Sequence, residues 1–266
     1  MKIGGYIMIK AINSRKSIRN FKEESVSPED LQKIKIIINE VKPLYDNIAM
    51  ETFIIVDGEK IHATFKGLMA KYTKVNAPHY LAFTSETCEG HLENIGFIGE
   101  ELVLKLTQLG IGTCWLGSPI KQELFKTIVN VQDTQSYIIL IAFGYPTEPL
   151  RLVENRKRLD ISKVITGAYD NQYVPIIQAL IDAPSAVNSQ PLRLSMSNNK
   201  FDLYLENRNI LTKKMLKEMN RIDMGIGLNH LYNSALELGY SVELKKTSHN
   251  EVGNSLYIIS AVLNKI

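Results

Sequence analysis

Two stretches of this chain can be laid over each other with their glycines in register. "NIGFIGEELVLKLTQLGIGTCWL" (94–116) overlies "RIDMGIGLNHLYNSALELGYSVEL" (221–244), so that Gly96 meets Gly225, Leu102 meets Leu231, Leu109 meets Leu238 and Gly110 meets Gly239. Downstream, "SYIILIAFG" lies over "LYIISAVLN". Upstream, "VKPLYDNIAMETF" lies over "DAPSAVNSQPLRL", with Pro43 on Pro184 and Asn47 on Asn188. Apolar period alone would align any two amphipathic helices. Here glycines and element order agree as well: a loop with Pro and Asn, a strand, a long helix, a strand. The repeat predicts an internal duplication, with one half-fold over 1–165 and a shorter copy over 166–266.

The chain has 266 residues, enough for two modest cores. Its net charge of +3 is too small to argue for nucleic acid or a membrane surface. The two cysteines, Cys88 and Cys114, form no CxxC and have no His at ligand spacing, which speaks against a disulfide scaffold or a metal site. They fit reduced thiols in a cytoplasmic protein. The N-terminal "MKIGGYIMIKAINSRKS" is broken by Lys10 and is too short for a signal core, and no apolar run reaches spanning length.

"PEDLQKIKIIINEV" has helical spacing, with Ser27 as N-cap and Pro28 at the first helical position. "ETFIIVDG" and "HYLAFTSE" read as strands, and "SYIILIAFGYP", nearly all apolar, as a central one. "IHATFKGLMAKY" and "IKQELFKTIV" are helix-like. "NIGFIGEELVLKLTQLGIG" reads as a long amphipathic helix with Ile95, Ile98, Leu102, Leu106 and Leu109 on one face. The segment after Pro146 is basic and irregular. "LRLSMSNNKFDLYLE" reads as a hairpin turning at Asn198-Asn199. The run from Arg221 to Leu244 reads as a second long helix, and "LYIISAVL" as a last strand.

Three pieces could carry chemistry. In "NSRKSIRNF", Arg15, Ser17 and Arg19 alternate, so an extended backbone projects them to one side. Two guanidinium forks beside a hydroxyl suit a phosphate monoester, although a solvated basic turn gives the same letters. "GIGTCWLGSP" holds the only tryptophan among glycines that permit close backbone approach. "FGYPTEPLRLVENRKR" carries a strand end into Arg156, Lys157 and Arg158. The five histidines are scattered and none takes a catalytic role; His230, on the second long helix, reads as structural or exposed.

Taken in order, "RKSIR", "LGIGTCWLG", "FGYP" and "NRKR" resemble the nitroreductase family of flavin enzymes. "APSAVNSQP" resembles that family's Pro-Ser-x-x-Asn-x-Gln-Pro loop. Typical members carry this loop early and reach with it to a dimer partner's flavin. Here the early position keeps Pro43 and Asn47 only, and the intact loop lies in the second half. The resemblance is to the duplicated single-chain branch. It implies an α+β fold of mixed, mostly antiparallel sheets flanked by helices, fused as a pseudo-dimer with one complete site and one degraded. It further implies that Arg15, Ser17 and Arg19 hold the FMN phosphate, helped by Arg156 and Arg158. Leu116 and Gly117 match the segment that donates to flavin N5. Pro184, Ser185, Ala186 and Asn188 line the ring, with Gln190 nearby. Leu192 stands where the family has an aromatic residue, and Lys71–Asn76 matches no motif of the substrate side.

The implied reaction is hydride transfer from NADH or NADPH through flavin to a nitroaromatic, quinone or similar small-molecule acceptor. It needs no general acid from the protein. A monomer is expected, since the usual partner is already attached. Two alternatives stand beside it: an FMN carrier or sensor without turnover, and a salt-sensitive surface for nucleic acid or another anionic partner, which the near-neutral charge disfavours.

Overall fold

The computed structural model describes residues 7–65, 75–117, 120–206 and 214–266. The chain forms two compact units. The first comprises Ser14–His91 and Glu101–Val153, the second Met1–Asn13, Leu92–Glu100 and Glu154–Ile266.

In the first unit β1 (Met50–Ile55), β2 (His79–Ser85), β3 (Gly112–Leu116) and β4 (Ser136–Gly144) make an antiparallel sheet in the order β1-β2-β4-β3. Every residue of β2 is buried, the apolar Tyr80–Phe83 at its centre as well as the polar His79, Thr84 and Ser85 at its ends. Helix α2 (Pro28–Glu40) belongs to this unit, whereas α1 (Ile7–Ser14) belongs to the second up to Asn13. Ser27 caps α2 by accepting the Asp30 N–H at 3.1 Å, and Glu29 and Asp30 sit against the positive end of its dipole. The short helices α3 (Glu59–His62) and α5 (Gln122–Phe125) close over the sheet. Phe125 is fully buried, edge-on to Phe53 and 4.7 Å from the Tyr137 ring. Burying such a ring stabilises by about 2–3 kcal/mol.

In the second unit β5 (Ile165–Thr166), β6 (Leu192–Ser197), β7 (Lys200–Leu205), β8 (Tyr240–Lys245) and β9 (Leu256–Lys265) follow the order β5-β6-β7-β9-β8. All pairs are antiparallel except β5 with β6. Helices α6 (Ile161–Val164), α7 (Val174–Ile181) and α8 (Lys214–Glu237) belong here, together with α1 up to Asn13. The Glu237 carboxylate accepts the Met8 and Ile9 N–H groups at 3.1 and 2.6 Å, capping α1.

The two sheets repeat one another in detail. In each, a long helix joins the second strand to the third: α4 (His91–Gln108) between β2 and β3, and α8 between β7 and β8. With the two-residue edge strand β5 set aside, β6–β9 follow the same order as β1–β4: first, second, fourth, third. The bulge recurs too. In β2–β4, Phe83 pairs with Ile139 and Thr84 with Tyr137, which skips Ile138. In β7–β9, Leu203 pairs with Ile259 and Tyr204 with Tyr257, which skips Ile258. The skipped isoleucines are matched residues in the sequence overlay, and a bulge kept in register is a feature of the fold rather than a defect.

Within the second unit the two long helices touch through their glycines. A Cβ on Gly96 would stand 2.0 Å from the Ile222 carbonyl oxygen, and a Cβ on Gly225 would stand 2.0 Å from that of Glu93. The overlay that sends Gly96 to Gly225 sends Glu93 to Ile222, so each contact is the image of the other, as in an isologous interface. Gly110 and Gly239, at φ 75° and 85°, end the two helices alike.

Some elements differ from the sequence reading. Gly112–Leu116, to which the sequence reading assigns no element, is an edge strand, because Thr-Cys-Trp-Leu pairs with β4. The second long helix stops at Glu237, and Tyr240–Lys245 is a strand. "IKQELFKTIV" makes a single helical turn. Only Glu59–His62 of the next helix-like stretch is helical within the described residues, and Lys71–Lys74 lies outside them. The first long helix is buried on all sides from Leu92 to Glu100 rather than along one stripe. No helix among the described residues is long and apolar enough to cross a membrane.

Candidate functional site

The Arg15–Arg19 segment lies in the first unit, extended along the edge of its sheet. Ser17 forms a parallel bridge with Thr113 of β3, and the Ile18 N–H donates to the Thr113 carbonyl at 2.8 Å. Gly112 makes this possible, since a Cβ there would stand 2.8 Å from Ile18 Cγ1. Further along, Phe21 bridges Pro146 and the Lys22 N–H donates to the Tyr145 carbonyl at 2.8 Å. The arginine segment thus docks on the Gly-Tyr-Pro strand end. Tyr145 also donates to Asp30 at 2.7 Å, and that bond, with Lys33, holds the Asp30 carboxyl below its ordinary range.

Arg15 is buried, Ile18 beside it packs inward and Arg19 is exposed. Both guanidiniums and the Ser17 hydroxyl act on the buried Cys114 thiol of β3. Burial pushes that thiol up, and Arg19, Arg15 and Ser17 pull it down. A hydroxyl between two cations at a sheet edge is a donor set for a dianion, and its chemistry fits a phosphate monoester. Leu116, buried, ends β3, and Gly117 follows at once.

The other candidates lie in the second unit. Pro184–Gln190 follows α7 and holds three non-glycine residues in the left-handed region: Val187 at φ 47°, Asn188 at 55° and Gln190 at 48°. Val187 is β-branched and 87 % exposed, so neither its own preference nor packing favours this conformation. Hydrogen bonds impose it. The Gln190 N–H donates to Ser185 Oγ, and the Asn188 N–H to the Ser185 carbonyl, both at 2.9 Å. From α8, the Asp223 carboxyl accepts the Ala186 N–H at 3.0 and 3.1 Å, and Asn220 Oδ1 accepts from Ser189 Oγ at 2.9 Å.

Arg158 joins this loop, donating to Asn188 Oδ1 at 2.9 Å and to the Asp182 carbonyl at 3.0 Å. Asn188 Nδ2 donates to the Lys157 carbonyl, and Gln190 Oε1 accepts the Leu159 N–H at 2.7 Å. Arg156 turns elsewhere and caps the C-terminal end of α1 through the Ile12 and Asn13 carbonyls, each at 2.8 Å. Thus Arg15, Ser17, Arg19, Leu116 and Gly117 share the first unit, while Arg158, Asn188 and Gln190 meet in the second. His230 is fully buried, with its ring between the Ala179 carbonyl and Glu100 Oε1, each at 2.9 Å, and is structural.

Asp223 and Asn220 were not singled out by the sequence. The only signal was an acid inside the apolar, glycine-bearing run "IDMGIGL".

The family model described as "Putative TM nitroreductase" matches residues 7–235. The chain belongs to this nitroreductase family. Its fold is that of a putative nitroreductase from Thermotoga maritima, 23% identical, with a TM-score of 0.61 over 99% of this chain and 97% of that one. An FMN-dependent nitroreductase from Clostridium difficile, 22% identical, superposes with a TM-score of 0.50, covering 60% of this chain and 99% of that one. No curated protein matches the chain in sequence. The nitroreductase fold is therefore α+β, with the antiparallel and mixed sheets that the strand pairings show.

Proposed function

We propose that this nitroreductase-family chain is an FMN-dependent oxidoreductase that uses NADH or NADPH to reduce nitroaromatic, quinone or related acceptors. Bound FMN supplies hydride transfer at its N5. Arg15 and Arg19 neutralise the phosphate, and Ser17 donates to it. Arg156 and Arg158, which the resemblance also assigns to the phosphate, are engaged at the C-terminal end of α1 and on the Pro184–Gln190 loop. Leu116 and Gly117 offer backbone donors for the N5 edge, while Pro184, Ser185, Ala186, Asn188 and Gln190 line the ring. The loop's small side chains permit close approach to a flat ring. The observation that carries this reading is the pair of guanidiniums flanking Ser17, on a segment bridged at Thr113 to the strand that runs directly into Leu116-Gly117. The Clostridium enzyme's stated FMN dependence supports it.

The repeated topology, bulge and glycine contact support a fused pseudo-dimer, active as a monomer, in which the Pro43–Asn47 loop has lost its flavin role. Free Cys88 and Cys114 suit the cytoplasm.

A second reading, FMN storage or sensing without turnover, draws on one feature. The Asn188 and Gln190 side chains are bonded to Lys157–Leu159, which leaves them less able to poise a ring. A visible spectrum before and after anaerobic NADH and NADPH separates the readings. A flavin band that bleaches supports the oxidoreductase, and one that persists supports the carrier. Absence of flavin after adding FMN overturns both.

A further inference from the structure

The loop Pro184–Gln190 is held from below by a single acid. Asp223 is 7% exposed and sits on α8, where both carboxyl oxygens face the Ala186 N–H. Ala186 immediately precedes the left-handed residues Val187 and Asn188. A cavity of about 30 Å³ lies behind the loop, bounded by Pro184, Ser185, Gln190, Leu192, Asp223 and Gly227. Three residues in the left-handed region cost about 1–3 kcal/mol each, so the loop keeps its form only while its polar tethers hold. At the overlaid position, the half whose loop is degraded has Asn94 instead of an acid.

We infer that Asp223 is a positioning residue of the proposed flavin site: its carboxyl group fixes the backbone of Ala186–Gln190 and makes the loop's hold on FMN depend on pH. This rests on the FMN reading for its ligand, but not for the tether itself. The charged groups around the carboxyl come from several elements. Glu100 faces it from α4, with His230 of α8 bonded to Glu100. Arg221 of α8 pairs with Glu93 of α4 at 2.6 Å, and Arg158 holds the loop through Asn188.

Burial pushes the Asp223 carboxyl up to about 8, the Glu100 carboxyl raises it further, and the Ala186 N–H and Ser189 hydroxyl act the other way. An acid raised in the closed loop and ordinary in the open one disfavours closure as pH rises from about 3.8 to about 8, and no further above that. Closure is therefore tighter at mildly acidic pH than at neutral or alkaline pH.

Amide exchange of the 183–190 peptide, followed by mass spectrometry from pH 5 to 9 and corrected for intrinsic base catalysis, reads the tether without any flavin. In the wild type the opening equilibrium should rise by up to tenfold per pH unit and level off above about 8. Asp223→Asn, which keeps an acceptor but cannot ionise, should stay within about threefold of wild type at pH 6 and show a flat profile. Asp223→Ala, which orphans the Ala186 N–H, should open at least about tenfold more. FMN affinity by fluorescence quenching should follow the same order, with the pH-dependent part missing from Asp223→Asn.

An Asp223→Asn profile that keeps the wild-type slope overturns the inference, as does an Asp223→Ala loop as protected as wild type. If Asp223→Ala does not fold, the Asp223→Asn slope decides alone. Wild-type protein that binds no FMN yet shows the expected exchange sinks the FMN reading and leaves the tether standing. FMN affinity unchanged in both variants overturns the positioning role.

Discussion

The two proline-asparagine loops stand at matched places in one repeated architecture and are built differently. Pro184–Gln190 has three residues in the left-handed region and is tied by side chains of Ser185, Asn220 and Asp223. Among the described residues, none from Pro43 to Ala49 is left-handed, and that loop buries Ile48 where the overlay has Ser189. One loop is strained and tethered by polar groups, and the other is relaxed and seated on an apolar side chain. Meanwhile the bulge, the strand order and the glycine contact are the same in both copies. The difference teaches that duplication preserved what the fold requires. Strain is confined to the loop that we propose serves the flavin, and strain of this kind is usual at functional sites.

The comparison breaks most easily at the helix glycines. Gly96→Ala and Gly225→Ala each drive a Cβ against a backbone carbonyl that cannot step aside, so each should destabilise by about 3 kcal/mol or more in urea titrations. Because the contacts are mutual images, the two losses should match within about 1 kcal/mol. A large loss in one variant and none in the other would break the symmetry.

Next in size is the proposed phosphate cradle, whose Arg-x-Ser-x-Arg segment only the first half carries. Arg15→Ala combined with Arg19→Ala should lower FMN affinity at least about a hundredfold, since two charge-assisted contacts are lost, while circular dichroism stays unchanged. Unchanged flavin content would remove the phosphate assignment. The loops can then be set against each other. Asn188→Ala should weaken FMN binding by about tenfold, and Asn47→Ala should leave it unaltered, both read by fluorescence quenching. Equal effects would mean that both loops serve a flavin.

The smallest effect concerns acid. In the first unit His79 is buried, with its Nδ1–H donating to the Val56 carbonyl and its Nε2 accepting the Val26 N–H at 2.9 Å. Burial holds its imidazole below the ordinary 6.5. A depressed folded-state value means that stability is full above about pH 6.5 and falls as pH drops through the folded value, because only the unfolded chain takes the proton. The overlaid residue of the second half, Asn199, cannot titrate. His79→Asn should therefore reduce the acid sensitivity of the thermal midpoint between pH 7 and 5.

Much of the fold was legible in the letters. Ser27-Pro28 marked a helix start, the apolar run at Ser136–Gly144 a central strand and Asn198-Asn199 a hairpin turn, each through a local rule that tertiary context did not override. Gly112–Leu116 and Tyr240–Lys245 were hidden. Each follows a long helix after a single left-handed glycine, and apolar letters alone do not reveal where the helical period gives way to pairing. The candidate site was legible as residue types and not as bonds. Pro-Ser-Ala-Val-Asn-Ser-Gln-Pro reads as a loop of ring-facing amides, yet the Asn188 and Gln190 heads reach Lys157–Leu159, thirty or so positions away in sequence. Asp223 was invisible because one acid in a helix carries no signal until the amide it receives is in place.

The most direct test of the central claim, two matched halves of which one retains the working loop, is the flavin stoichiometry of the protein. It is measured by titrating FMN into apoprotein and counting sites per chain. One FMN per chain is the predicted result, and two per chain, or none, would contradict it.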